Sequence, residues 1–343
     1  MADIREAIIR LTENQPLSEA QAEAAMVEIM TGQATCGQVA AFLTALRMKG
    51  ETVDELIGCA RAVRKGVTAV TPVRQDLVDI CGTGDDRAGT FNISTTAALV
   101  AAGAGLAIAK HGNRSVSSRC GSADLLEALG VNLGLNPQQM AQCIDAVGIG
   151  FLFAPLLQPG LDAALATSRE LGLRTVLNVV DPLTNPAGAQ AQVLGVYSGT
   201  LTEPAAYTQR ALGIRRSFVV YGADGLDELS TTGTNKVSRL DEEGVVSTFF
   251  LDPTDLGLPR ARLADLAGGT PETNVRITRE ILGGNKGAPR DIVVLNAAAT
   301  LVLGKVARTL REGISKAQQA IDSGAAAQKL QELIEFTQKA RHG

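Results

Sequence analysis

Histidine is almost missing from this chain of 343 residues: His111 and His342 are the only two. A histidine metal centre is therefore nearly excluded, and His342, one residue from the C-terminus, reads as tail. Cysteine is sparse as well. Cys36, Cys59, Cys81, Cys120 and Cys143 stand far apart with no CxxC pair, which fits reduced, mostly buried thiols and not a zinc knuckle or a disulfide framework. No run reaches the roughly eighteen apolar residues of a membrane-spanning helix. The start, MADIREAIIRLTENQ, carries acids and no long apolar core, so it reads as neither signal peptide nor anchor, and the expected location is the cytoplasm. There is no excess of positive charge: 32 Lys and Arg against 36 Asp and Glu give a net charge of -4, and the basic residues are scattered. That argues against a nucleic-acid partner, whose binding needs a basic face. With 45% hydrophobic and 20% charged residues, the chain suits an ordinary globular protein of one large or two modest domains.

What is present is concentrated between Val78 and Gly130, where three polar, Gly-rich loops alternate with apolar segments. Short apolar runs at Leu77 to Cys81 and Leu106 to Ala109 read as strands, each leading into a loop and then a segment with helical spacing. That alternation is the pattern of a parallel α/β sheet. The loops have the chemistry of anion binding. In Gly82-Thr83-Gly84 the glycines allow close backbone approach, and Asn92, Ser94 and Thr95 open the next helix, whose free N–H groups and partial positive charge suit a phosphate. The second loop, Lys110-His111-Gly112-Asn113-Arg114, adds two fixed cations and an amide. The third adds the hydroxyls of Ser117, Ser118 and Ser122 around Gly121. One Gly-rich turn is only a turn, but three within about fifty residues suit a ligand with several phosphate oxygens.

The first seventy residues read as helices, with capping patterns at Ser18/Gln21 and Thr52/Glu55 and stops at Gly32 and Gly50. Downstream, Pro137 opens a helix, Ile149 to Phe153 reads as a buried strand, and Leu161 to Leu171 as a helix stopped by Gly172. Asp181 to Pro186 reads as a Pro-bounded turn. Glu203 to Leu212 is helical and Ser217 to Tyr221 a strand. Val237 to Leu240 and Val245 to Phe249 flank a hairpin turn. Ile292 to Leu295 is expected to be a further buried strand, and Ile314 to Phe336 to hold the closing helices. Asp227-Glu228, an adjacent acidic pair just after a strand, is placed where such sheets carry ligands and is suited to Mg²⁺, which takes one or two carboxylates and completes its shell with water and phosphate.

The motifs GTG with a following Asp, FNIST, KHGNR, SS, GSAD and LEALG, in this order, resemble the anthranilate phosphoribosyltransferase family. The likeness extends to QVAAFLTALRMKGET upstream and to FAP, RELG, RT, PLTNPA, DGLDELS and LNAAA downstream, and covers roughly Leu17 to Gln338. It implies a small helical N-terminal domain over residues 1–70, with a returning segment near 160–190, and a larger α/β domain over 71–343 with a mostly parallel sheet of the nucleoside phosphorylase and phosphoribosyltransferase type. It further implies Mg²⁺-dependent transfer of the 5-phosphoribosyl group from phosphoribosyl pyrophosphate to anthranilate or a related aromatic amine, in a homodimer built on the N-terminal helices. By residue matching, Gly82, Thr83, Gly84, Asp86, Asn92, Ser94, Thr95, Lys110 and Ser122 hold the donor, and Ser94, Asp227 and Glu228 the metal. His111, Asn113, Gln158, Ser168 and Asp181 border the acceptor. No general base is required, because an arylamine attacks with its own lone pair.

Four positions depart from the family pattern. Asp85 and Asp181 replace glycines, Gln158 replaces a histidine, and Ser168 replaces the first of two arginines, the one that binds the anthranilate carboxylate. Three of the four face the acceptor, so the donor half is kept and the acceptor half rewritten. An acceptor lacking a carboxylate is the corresponding alternative. A non-catalytic relative that binds nucleotides or nucleic acid, and a nucleoside phosphorylase, are the other competing readings, although KHGNR stands where a phosphorylase has its Lys, Ser and Thr signature.

Overall fold

The computed structural model describes residues 3–84, 86, 88–115 and 119–340. Asp85, Ser117, Ser118 and His342 lie outside the described residues. Four helices come first: α1 (Ile4–Thr12), α2 (Glu19–Met30), α3 (Cys36–Lys49) and α4 (Val53–Lys65). Their starts are written locally. Ser18 and Gln21 form a reciprocal capping box on α2, as Thr52 and Glu55 do on α4, each satisfying backbone N–H groups that the first helical turn leaves without partners. Glu55 does more than cap, since it is fully buried, receives Leu17 N at 2.9 Å and pairs with Lys49 Nζ at 2.8 Å.

The chain then alternates between strand and helix through β1 (Val78–Gly82), α5 (Ile93–Gly103), β2 (Ile108–Gly112), α6 (Ser122–Leu129), α7 (Pro137–Val147) and β3 (Ile149–Phe153). Next come α8 (Ala154–Leu157), α9 (Pro159–Leu171), α10 (Val176–Val180), β4 (Ala191–Gly195), α11 (Thr202–Ala211) and β5 (Arg216–Tyr221). A hairpin, β6 (Asn235–Leu240) and β7 (Val246–Leu251), precedes α12 (Pro271–Leu282), α13 (Ala288–Leu303), α14 (Leu310–Asp322) and α15 (Ala325–Lys339).

The strands form one seven-stranded sheet in the order β3-β2-β1-β4-β5-β6-β7. The first five are parallel and β6 and β7 antiparallel. Because β2 lies on one side of β1 and β4 on the other, the order reverses at β1. The carboxyl ends of β1 and its neighbours open there into a crevice, the usual ligand position in such sheets.

Side-chain alternation along the strands builds two cores. Ile80, Val193 and Val220 face a core shared with α5, α13 and α14, while Cys81, Leu194 and Val219 face a second core shared with α1 to α4 and α10. Helices α9 and α10 thus pack with the N-terminal helices. Each fully buried Leu or Ile contributes on the order of 1.5–3 kcal/mol.

One expected element is overturned: Ile292 to Leu295 is the interior of α13 and not a strand. The helix is buried all round, from Ile292 to Leu301, so no helical period of polar positions marks it, and its short apolar run Ile292 to Leu295 cannot be separated from a core strand by periodicity. The true fourth strand, Ala191–Gly195, was not foreseen, since Gln192 interrupts its apolar run. Asp181 to Leu183 is a 3₁₀ turn that continues directly from α10.

Candidate active site

The site assembles at the carboxyl ends of β1, β2 and β5. After β1, Thr83 N donates to Gly195 O at 2.9 Å and Thr83 Oγ1 accepts from Tyr197 N at 3.1 Å, which fastens the GTG loop to the end of β4. Gly84, at φ +70°, then turns its N–H onto Asp227 Oδ2 at 2.6 Å. Two further glycines make room for this approach. A Cβ on Gly195 would sit 1.5 Å from the Asp227 carbonyl oxygen, and one on Gly82 would sit 2.3 Å from Asp227 Oδ2, so neither position admits a side chain.

Beside Asp227, Glu228 Oε1 accepts from Ser94 N at 3.0 Å in the first turn of α5. Lys110 Nζ, on β2, donates to Ile80 O at 2.7 Å and reaches Ser94 Oγ at 3.5 Å. Lys110 is 3% exposed and the two carboxylate residues 9% each, so this is a nearly sealed ionic cluster. Burial holds the Asp227 carboxyl well above its ordinary range, reinforced by the charge of Asp86. Burial and then Asp227 raise Glu228, against the opposing pull of Lys110. Two carboxylates kept this close in a poorly solvated place ask for a cation. Among the described residues no three His, Cys, Asp or Glu side chains are grouped as metal ligands. An ion held here would thus complete its shell from water and a ligand's oxygens, which is the behaviour of Mg²⁺. The donor set fits that ion.

The remaining donor-side positions are spread along the same crevice. Thr95 is buried in α5. Asp86 Oδ1 accepts from Ala88 N at 3.1 Å. Asn92 is committed to scaffolding: its Nδ2 donates to Cys120 O at 3.0 Å and its Oδ1 accepts from Asn274 Nδ2 at 2.8 Å. Ser122 Oγ donates to Asn113 O at 3.1 Å, and a Cβ on Gly112 would sit 2.3 Å from that hydroxyl oxygen. Arg114 spends its guanidinium on Asp124 and Glu127 at the surface.

Of the positions expected to border the acceptor, the structure links His111, Gln158 and Asp181, through an ion pair and the turn at Thr184. His111 is 3% exposed and stands with its Nε2 3.9 Å from Asp181 Oδ1. Gln158 is 1% exposed and donates Nε2 to Thr184 Oγ1 at 2.9 Å, and Thr184 Oγ1 donates in turn to Asp181 O at 2.8 Å. Ser168 belongs to a different arrangement, a buried hydroxyl pair with Thr175 at 3.0 Å. Arg169 pairs with Asp162 at the surface. Asn113 Oδ1 caps Arg114 N at 2.7 Å.

Asp79 was missed by sequence reasoning. It is fully buried in β1, its Oδ1 accepts from His111 N at 3.2 Å and its Oδ2 from Gln192 Nε2 at 3.0 Å, so it fixes the strand that carries His111. The signal was there: an acid inside the apolar run Val78 to Cys81 needs buried partners.

This fold and crevice define a glycosyl transferase. A model of the glycosyl transferase family, a/b domain, matches residues 74–327, and one of the family's helical bundle domain matches residues 5–66. The chain is 52% identical to the anthranilate phosphoribosyltransferase of Moorella thermoacetica over 96% of its own length and 97% of that protein. With the enzyme of the same name from Pelotomaculum thermopropionicum it shares 53%, over 97% and 96% of the two chains. Among solved structures, the anthranilate phosphoribosyltransferase of Thermus thermophilus superposes with a TM-score of 0.91 at 41% identity, covering 97% of this chain and 99% of that one. The Saccharomyces cerevisiae enzyme in complex with PRPP and Mg superposes at 0.88 and 30% identity, covering 98% of each chain. The chain belongs to the anthranilate phosphoribosyltransferase family.

Proposed function

We propose that this protein transfers the 5-phosphoribosyl group of phosphoribosyl pyrophosphate to the amino group of anthranilate or a related aromatic amine and releases pyrophosphate, with Mg²⁺ as cofactor. One observation carries the reading: Asp227 and Glu228 are drawn by backbone N–H groups of Gly84 and Ser94 to the point where two phosphate-type loops meet. Relatives named for this reaction, and the yeast structure with PRPP and Mg, support it. The phosphorylase and the non-catalytic readings have no such support.

In this reading the GTG backbone and the first turn of α5 receive the pyrophosphate, with Lys110 balancing its charge. Asp86, Asn92, Thr95 and Ser122 frame the donor. Ser94, Asp227 and Glu228 hold the metal, which supplies positive charge to the leaving pyrophosphate. As the C1–O bond breaks, the leaving group takes the bonding pair. The amine nitrogen forms the new bond to C1 and gives its extra proton to water. His111, Asn113, Gln158 and Asp181 border the acceptor, while Ser168, paired with Thr175, supplies no cation to it. No side chain has to act as base, so the protein's share is orientation and charge stabilisation.

A division into a helical domain of residues 1–70, with the segment near 160–190 returning to it, and an α/β domain of 71–343 goes with this reading. So do a homodimer through the N-terminal helices and a place in the cytoplasm for tryptophan biosynthesis. The test is pyrophosphate release from phosphoribosyl pyrophosphate with Mg²⁺ and a panel of aromatic amines. No release with any of them would reject the function.

A further inference from the structure

Among the described residues, three buried polar atoms near β2 have no hydrogen-bond partner: His111 Nε2, Asp181 Oδ1 and Gln158 Oε1. They come from three separate elements. His111 is carried by β2, Gln158 sits between α8 and α9, and Asp181 ends α10. The turn from Asp181 to Asn185 binds them into one wall, because Gln158 and Asp181 both hold Thr184 and Asn185 Nδ2 is tied to Ala109 O at 2.8 Å. Leaving such groups unpaired costs stability; His111 Nε2 and Asp181 Oδ1 face each other at 3.9 Å, beyond hydrogen-bond reach, so the strain calls for an explanation.

Their chemistry is one-sided. Gln158 has spent its amide hydrogens on Thr184, so its free atom is a carbonyl oxygen. Asp181 keeps a fifth of its side chain exposed while its Oδ1 is sealed. The buried Asp79 lies directly behind the His111 backbone, and Asp162 adds to the negative field at Asp181. Of the nearby cations, Lys110 is turned to Ile80 and Ser94, and Arg169 to Asp162. The exposed edge of the Asp181 carboxylate in a negative surround suits a ligand that donates hydrogen bonds.

We propose that Asp181, whose turn Gln158 holds through Thr184, is a specificity-determining residue that favours an aromatic amine bearing a hydrogen-bond-donating ring substituent, such as a primary carboxamide or a second amino group, over one bearing a carboxylate. The inference rests on the transfer reading above and narrows its acceptor. A carboxamide N–H₂ can donate to the exposed edge of the Asp181 carboxylate, whereas a ring carboxylate brings a second negative charge against it.

The experiment compares 2-aminobenzamide, 1,2-diaminobenzene and anthranilate in two readouts with the full protein, Mg²⁺ and phosphoribosyl pyrophosphate. These are the specificity constant for transfer and calorimetric binding of each amine. A charge-assisted hydrogen bond gained or lost corresponds to a preference of about ten- to a hundred-fold for the donor-bearing amines. In Asp181→Asn, checked for native circular dichroism, that preference should shrink at least tenfold through the acceptor KM and not the donor KM. Anthranilate used or bound as well as 2-aminobenzamide, with the ratio unmoved in Asp181→Asn and in Gln158→Leu, would overturn the proposal. If no amine were converted but 2-aminobenzamide still bound more tightly than anthranilate, the transfer reading would fall and the specificity assignment would stand.

Discussion

Gly84 donates its backbone N–H to Asp227 Oδ2 at 2.6 Å, joining the loop after β1 to the loop after β5 across 143 positions of sequence. That single contact, with its neighbour from Ser94 to Glu228, draws an acidic pair into the anion-binding end of the sheet. Neither carboxylate is stabilised there by the described protein groups alone, since burial raises both, with the charge of Asp86 adding to it at Asp227 and that of Asp227 at Glu228.

The double substitution Asp227→Asn with Glu228→Gln should therefore abolish turnover without unfolding the chain. Amides of the same shape still accept from Gly84 and Ser94 but remove the negative charge that a cation needs. Pyrophosphate release and thermal melting, measured together, check it. Retained activity would remove these residues from the metal site.

Lys110→Ala should weaken donor binding by about 1.5–3 kcal/mol, the usual contribution of a charge-assisted hydrogen bond. It also leaves the Ile80 carbonyl without its partner, so a stability loss on the order of 1 kcal/mol accompanies it. Calorimetric titration with phosphoribosyl pyrophosphate separates the two effects, and full donor affinity in the variant would contradict the assignment.

Gly195→Ala should be more damaging than its size suggests. The added methyl group would meet the Asp227 carbonyl oxygen at 1.5 Å, so the acidic loop must move away from β4. Overpacking of this kind costs about 1–3 kcal/mol, and the Mg²⁺ requirement should rise with the displacement. An unchanged Mg²⁺ dependence would show that the loop tolerates the shift.

Burial holds the Asp181 carboxyl above its ordinary value of 3.8, partly offset by His111. The folded state thus binds the proton more tightly than the unfolded chain. The stability that this protonation contributes is fully present below about pH 4 and is lost as pH rises through the raised folded value. Asp181→Asn should match the parent in melting temperature at pH 4 and exceed it at pH 7 to 8. A variant less stable than the parent at neutral pH would reverse that sign.

The sequence by itself determined the local features. Helix starts at Ser18 and Thr52 were legible because a capping box is written within four residues. The strands at Val78, Ile149 and Arg216 were legible as short apolar runs next to Gly or Pro, and the phosphate-type loops as the residues that follow them. Ile292 to Leu295 misled, because burial on every side erases the helical period. Only the tertiary structure decided which distant groups meet. It turned Asn92 to Asn274, set Asp79 behind His111, and brought His111 Nε2 within 3.9 Å of Asp181 Oδ1. These relations depend on the strand order β2-β1-β4, which brings residues a hundred positions apart within hydrogen-bond reach. Propensity and motif act over a few residues, whereas a pocket's polarity is the sum of what several elements leave unsatisfied.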